Sequence, residues 1–315
     1  MFQKIIKSKI LKLIITLVLF YFAFQKVEIK SILSQLIGIN IFFLIFIFFI
    51  SILATLITAY RWSLLIIKNP KIGDILAFTK SAWVSSFYGL FVPTSAAGDI
   101  FKWLIIDEKY PNIPKSKLGG SILLDRFVGM SMLVFFGFVS QFFVSNFGVE
   151  IPILIRYGLI IVFLGCLLVY GIIFTGKTSL ILKHKWFKKI KNIGDLVSKE
   201  NSIQILKCLG VSFLSDFLWI WQTWIISRYF GTNISFVEIL IYLPIISTIL
   251  ILPISIAGFG AREQLYLFFL SKTTNTLESI FLMSTFLGII GILMSLLGGL
   301  ISLTPEYRRK NLINS

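Results

Sequence analysis

Long apolar runs separated by short polar stretches govern the reading of this chain. Six runs, at about 10–27, 39–67, 118–145, 151–175, 208–230 and 276–304, are candidates to cross a bilayer, because a crossing helix needs roughly 20 apolar residues. Two further apolar stretches, 72–110 and 236–270, are interrupted. The first breaks at Pro93-Thr94-Ser95-Ala96-Ala97-Gly98, and the second at Pro253-Ile254-Ser255-Ile256-Ala257-Gly258, with Gly260 close behind. Both breaks read P-x-S-x-A-G. Paired interruptions at matching places in two halves are the sequence mark of a transporter built from internal repeats.

Basic residues decide how the interrupted stretches thread. Lys4, Lys7, Lys9 and Lys12 place the N-terminus in the cytoplasm, and the second span returns there at Arg61, Lys68 and Lys71. If 72–92 crossed fully, the lysine-rich loop from Lys177 to Lys207 would fall outside. If 72–110 instead enters and leaves from the cytoplasmic side, and 236–270 from the outer side, that loop and Arg308, Arg309 and Lys310 all fall inside. The predicted fold is an all-α polytopic membrane protein with about six full transmembrane helices and two re-entrant hairpins, both termini cytoplasmic, in the plasma membrane.

Each half then holds three full crossings, an odd number, so residues 1–150 and 151–315 form an inverted repeat within one membrane domain. The correspondence extends past the breaks. Arg61-Trp62 and Arg228-Tyr229 each close the span before an interrupted stretch. Ile72-Gly73-Asp74-Ile75-Leu76-Ala77-Phe78 matches Phe236-Val237-Glu238-Ile239-Leu240-Ile241-Tyr242 in pattern, acid for acid. Between the halves, at about 177–207, lysines alternate with Trp186, Phe187, Ile190, Ile193, Leu196 and Val197. This reads as an amphipathic helix on the cytoplasmic surface, or as a plain orienting loop.

Composition narrows the function classes. The 315 residues are 57% hydrophobic, which excludes a soluble domain. The net charge of +16 sits beside apolar segments, where it orients the protein and attracts anionic headgroups; nucleic acid is not an expected partner. Cys166 and Cys208 lie in apolar runs and read as packing residues. His184 is the one histidine and stands among lysines, so no metal site and no cofactor are expected. The N-terminal apolar run has no convincing cleavage site and reads as the first span.

The breaks carry the candidate chemistry. Irregular backbone at membrane depth survives only where it is buried or lines a wet cavity, and a helix starting there offers free amides to an anion. A tight turn packed on its neighbours is the structural alternative. The expected break residues are Pro93, Ser95 and Gly98 in the first half and Pro253, Ser255, Gly258 and Gly260 in the second. Asp99 and Lys102 follow the first break three residues apart, on one helix face. Arg262 and Glu263 follow the second, and arginine is the better fork for a phosphate. Asp125 and Arg126 lie inside the third span and Asp216 inside the fifth, where a charge costs roughly 3 kcal/mol and faces the bundle interior. Substrate contact is expected at Arg262, Glu263, Asp99, Lys102, Asp125 and Arg126, with structural ion pairs between helices as the alternative for Asp125 and Arg126.

Three segments together resemble the lysylphosphatidylglycerol synthase transmembrane family of flippase-like membrane proteins. They are Pro93 to Lys102, with Gly98-Asp99 inside it, then Leu124-Asp125-Arg126, and Pro253 to Glu263 with Gly258-Phe259-Gly260-Ala261-Arg262. The likeness runs from about residue 10 to 305. The family's first motif usually carries arginine at the position of Lys102 and often glutamate at that of Asp99, so charge is kept at both. The resemblance implies lipid translocation. In the aminoacyl-lipid synthases a soluble transferase domain follows this membrane region. Here the sequence ends at Ser315, so lysyl transfer is not expected. Other relatives are linked to polyprenyl-linked glycans, hopanoids or phospholipids.

The expected function is thus translocation, between leaflets, of a lipid with an anionic or charged headgroup, the headgroup passing between the hairpins. No ATP-binding loop is visible, so an ion gradient, the membrane potential or the lipid gradient would drive it. Membrane lipids are the expected partners. An intramembrane transferase using Asp99, Asp125 or Glu263 as base is the first alternative, although no nucleotide, metal or nucleophile motif supports it. A non-catalytic partner of a separate lipid- or glycan-modifying enzyme is the second.

Overall fold

In a computed structural model, residues 34–91, 95–147, 151–175, 202–250, 255, 258–271 and 277–304 are described. They form nine α-helices and one 3-10 turn, with no strand among them. The helices are α1 (Ile41–Leu64), α2 (Ile72–Phe91), α3 (Ser95–Lys109), α4 (Lys115–Ser140), α5 (Ile153–Phe174), α6 (Ser202–Tyr229), α7 (Phe236–Leu250), α8 (Ala261–Leu270) and α9 (Leu277–Ser302), with the 3-10 turn at Val144–Phe147.

Five of the six expected spans are present as α1, α4, α5, α6 and α9, each long and apolar enough to cross a membrane. The sixth, 10–27, lies outside the described residues, as do most of 177–207 and the basic C-terminal cluster. Each interrupted stretch is divided into two helices: 72–110 becomes α2 and α3, and 236–270 becomes α7 and α8. Ser95 and Gly98, expected within the first break, instead lie inside α3. At ~1.5 Å per residue α3 and α7 rise about 22 Å and α8 about 15 Å, short of a hydrocarbon core ~30 Å thick. The fifth span starts earlier than expected, because α6 takes in residues 202–207, assigned above to the amphipathic segment.

The chain divides into two compact units. Unit 1 comprises Met1–Leu53, Ala82–Phe101 and Trp219–Ser315, and unit 2 comprises Ala54–Ser81 and Lys102–Leu218. Each unit draws on both halves of the sequence.

Unit 2 is cored by Trp62, Phe78, Ile106, Leu118 and Ile122. The Trp62 indole N–H donates to Ser121 Oγ at 3.0 Å, so its polar edge is satisfied inside the core. The first interrupted stretch is tied at its base here. Tyr110 Oη donates to Asp74 Oδ1 at 2.5 Å, Lys109 Nζ donates to the Gly73 carbonyl at 3.3 Å, and Ser81 Oγ donates to the Lys102 carbonyl at 3.2 Å. These partners run in opposite directions along α2 and α3, so the two helices are antiparallel. Hydroxyls that would compete with helix hydrogen bonds in water here join one helix to the other.

In unit 1, α9 meets α2 at glycines. A Cβ on Gly298 would stand 2.0 Å from the Trp83 carbonyl oxygen, and one on Gly299 would stand 2.7 Å from the Phe87 ring. Small residues that let helices approach closely are the usual means of packing in lipid, where no hydrophobic force drives association. Ser85 Oγ donates to the Gly98 carbonyl. Gln222 of α6 donates to Ser51 Oγ of α1 at 2.7 Å, and Phe43 stacks on Tyr229 with ring centres 3.8 Å apart. Pro244 inside α7 removes a helix N–H. Tyr242 of α7 stacks on Phe269 of α8 at 5.6 Å.

The two matched acids do the same work. Asp74 Oδ2 accepts the Lys71 N–H at 2.9 Å, and Glu238 Oε2 accepts the Ser235 N–H at 2.7 Å. Each carboxylate reaches back three residues to hold the start of the first helix of its interrupted stretch. At the second site Ser235 Oγ returns the bond by accepting the Glu238 N–H at 3.2 Å, which completes a capping box.

Candidate functional site

The second break builds a centre in unit 1. Gly258 and Gly260 both have positive φ, +79° and +77°, a region side chains rarely enter. They turn the backbone so that α8 can begin at Ala261. Glu263, fully buried, reaches back and accepts the Gly260 N–H through Oε2 at 2.6 Å. One oxygen of Glu263 therefore caps α8. Its other oxygen, Oε1, is buried with no hydrogen-bond partner among the described residues, and so are the hydroxyls of Ser255 and Thr285. A buried polar group left unsatisfied costs about 1–3 kcal/mol, so each of these atoms is a point that ligand or water can complete.

Arg262 occupies a fitted seat. Its guanidinium lies over the Phe259 ring, 5.6 Å from the centre. A Cβ on Gly258 would come within 3.1 Å of Nη2, and one on Gly288 of α9 within 2.3 Å of Nη1 and 3.0 Å of the Phe259 ring. Gly288 thus opens the space the arginine fills. A cation at the start of a helix adds to the positive end of the helix dipole, so this corner favours an anion, and the planar fork can hold two of its oxygens.

Unit 2 holds a second buried charge cluster. Arg61, in the last turn of α1, is 5% exposed and its Nε meets Asp125 Oδ1 of α4 at 2.7 Å. Its Nη1 donates to Ser212 Oγ of α6 at 2.7 Å, and Ser212 Oγ in turn donates to Asp216 Oδ2 at 3.3 Å. Gly129, one helical turn after Asp125, leaves room for the guanidinium: a Cβ there would stand 2.9 Å from Nη1. Arg61 was counted above among the basic residues that face the cytoplasm. Buried and paired, it joins three helices instead, and Lys68 and Lys71 are left to mark that end of α1. Its supposed counterpart Arg228 is exposed and donates to the Thr232 carbonyl at 3.2 Å.

The remaining expected residues are placed individually. Ser95 opens α3, and Pro93 and Pro253 lie outside the described residues. Gly98 packs on Ser85, its notional Cβ 3.2 Å from the hydroxyl. Asp99 in unit 1 and Arg126 in unit 2 are half-buried. Lys102 in unit 2 sets its Nζ 5.8 Å from the centre of the Trp62 ring, a cation–π distance. Sequence reasoning missed Gly288, Gly129, Ser212 and the pairing role of Arg61. The i,i+4 pairs Asp125/Gly129 and Ser212/Asp216 carried the signal for two of them, Gly129 and Ser212; the arginine they face gave none.

The family model described as the lysylphosphatidylglycerol synthase TM region matches residues 9–298, nearly the whole chain. No curated protein and no solved structure matches it.

Proposed function

The chain belongs to the lysylphosphatidylglycerol synthase transmembrane family, and from that premise we propose that this multi-pass membrane protein moves a lipid with an anionic or charged headgroup between leaflets. The observation that carries the proposal is the seat of Arg262. A guanidinium held by two glycines and an aromatic ring, at a helix start produced by a membrane break, suits the phosphate of a headgroup. The buried, unpartnered oxygens of Ser255, Glu263 and Thr285 in the same unit suit hydroxyl or ammonium donors on such a headgroup. Asp99, Lys102 and Arg126 are proposed as further contacts on charge alone. Asp125, engaged by Arg61, is proposed as a brace.

The two broken stretches are proposed to be re-entrant, from opposite faces, in an inverted repeat of 1–150 and 151–315 with both termini in the cytoplasm. The equal capping roles of Asp74 and Glu238 support the repeat, and the base-tied antiparallel pair α2–α3 supports the first hairpin. The site is a binding site rather than a catalytic one in this reading.

Reconstitution tests it. The full chain is placed in vesicles holding a tail-labelled fluorescent phosphatidylglycerol, or phosphatidylcholine labelled in the same way, and dithionite bleaches the outer leaflet. The expected result is bleaching of the anionic lipid beyond the outer-leaflet share, without added nucleotide, and its loss in Arg262→Ala. No movement of either lipid by monodisperse protein would overturn the assignment and return attention to the enzyme-partner reading.

A further inference from the structure

A small pocket opens in unit 2, and none of the residues assigned above to headgroup contact lines it. It lies where the end of α1 meets the starts of α4 and α6, lined by Leu64, Leu65, Lys68, Lys117, Gln204 and Ile205 among seven residues, none of them acidic. Its volume is ≈ 50 Å³. One water needs about 10–15 Å³ on this measure, so the pocket takes about four water-sized groups, the size of a tetrahedral oxyanion and too small for a sugar. Two lysines line it, and among the described residues neither is in an ion pair.

The surrounding backbone fits a negative charge. Lys117 and Gln204 are each the third residue of their helices, whose positive ends therefore point toward this corner. Two carbonyls at the end of α1, those of Ser63 and Lys68, are engaged. Ile67 N–H donates to Ser63 O at 2.8 Å, and Gln204 Nε2 donates to Lys68 O at 2.9 Å. That bond fixes the amide and leaves Gln204 Oε1 buried with no partner among the described residues. A donor is wanted there, from a lysine drawn in by the ligand or from a hydroxyl on it.

We infer that this pocket binds the phosphate of an anionic membrane lipid as a resident site, separate from the translocated headgroup. The apolar floor of Leu64, Leu65 and Ile205 favours a lipid over free phosphate, because it meets the glycerol end of the same molecule. The pocket also sits at the ends of three span candidates, at the level where headgroups lie, and basic pockets between helices at that level recruit anionic lipids.

The test uses the purified full chain in dodecyl maltoside, melted while tryptophan emission is followed. Phosphatidic acid, phosphatidylcholine and inorganic phosphate are titrated separately. Phosphatidic acid is expected to raise the midpoint by about 5 °C when well above its dissociation constant, and phosphatidylcholine to leave it unchanged. Lys68→Gln/Lys117→Gln is expected to lose most of the shift. Lys71→Gln/Lys207→Gln, equal in charge but outside the pocket, is expected to keep it. If the pocket double variant does not purify, Lys68→Gln alone carries the test, since that side chain is exposed; half the shift or more should go. A lysine-dependent shift with inorganic phosphate and none with the lipid keeps the phosphate site but overturns the lipid as its source. Equal phosphatidic acid shifts in wild type and pocket variant overturn the inference.

Discussion

Arg61 and Asp125 meet at 2.7 Å inside unit 2, and a serine extends the contact to Asp216 on α6. Burial makes the pair unequal to its parts. Removing one partner strands a charge at a cost of about 3–5 kcal/mol, whereas replacing both by apolar residues of similar volume is often neutral. Arg61→Ala or Asp125→Asn alone should therefore give protein that aggregates or melts well below wild type. Arg61→Met/Asp125→Leu should recover folding, observed as a monodisperse peak in size exclusion. It should also recover lipid movement, as a brace requires. A recovered fold with no transport would instead make Asp125 a substrate residue.

The seat of Arg262 separates position from presence. Arg262→Ala should abolish transport while leaving folding intact, since the side chain is only half-buried. Gly288→Ala should act through the arginine, because its Cβ would fall 2.3 Å from Nη1, the far end of a flexible side chain. We expect transport to fall about tenfold with little change in melting, a displacement effect of the kind that small misplacements produce. Gly298→Ala is the contrasting variant. Its Cβ would fall 2.0 Å from the Trp83 backbone oxygen, which no rotamer change relieves, so it should lower stability by about 1–3 kcal/mol.

The base of the α2–α3 pair should respond to pH. The hydrogen bond from Tyr110, followed by that from the Lys71 amide, holds the Asp74 carboxyl below the usual carboxylate range. Burial, then the bond to Asp74, pushes the Tyr110 hydroxyl up. A lowered acid contributes stability above its unfolded value, about 4, and loses it as pH falls through the folded value; a raised phenol contributes below about 10 and loses it as pH rises through its folded value. The clasp should therefore be fully present from about pH 5 to 9. Comparing melting of wild type and Tyr110→Phe checks this: the wild type should lead inside that window, and its lead should shrink as pH falls below about 4. A gap that stays constant as the carboxyl is protonated would assign the effect to packing.

Much of this architecture was legible because membrane helices are written in one variable. Apolar run length fixed α1, α4, α5, α6 and α9, and proline with glycine marked both interrupted stretches; at Gly258 the backbone takes φ +79°, a region side chains rarely enter. What was hidden depends on pairing across helices. Arg61 looked like an orienting charge because position in sequence does not show which face of α1 it leaves from. Gly288 looked like one more small residue in an apolar run. Its meaning comes from the guanidinium opposite, which lies 26 positions earlier at Arg262. Glu263 was legible as a charge near a break, but its reach back to Gly260 is a local bond that composition does not reveal.

The topology makes the final prediction, and it can be tested residue by residue. With Cys166→Ala/Cys208→Ser as background, single cysteines at 112, 189 and 233 are treated in intact cells with a membrane-impermeant maleimide. Asn112 and Asn233 are exposed loop residues; Lys189 lies in the basic stretch outside the described residues. If α2–α3 enters and leaves on one side, 112 stays with the cytoplasmic loop and 189 with it. Position 233, between α6 and α7, would then be on the outer face. Only 233 should then label in intact cells, and 112 and 189 should label once the membrane is opened. Labelling at 189 in intact cells would place the largest lysine cluster outside, against the charge bias that orients membrane helices. Outside labelling at both 112 and 189 would show that α2 and α3 together cross the bilayer, an outcome that would remove the first hairpin and with it the inverted repeat.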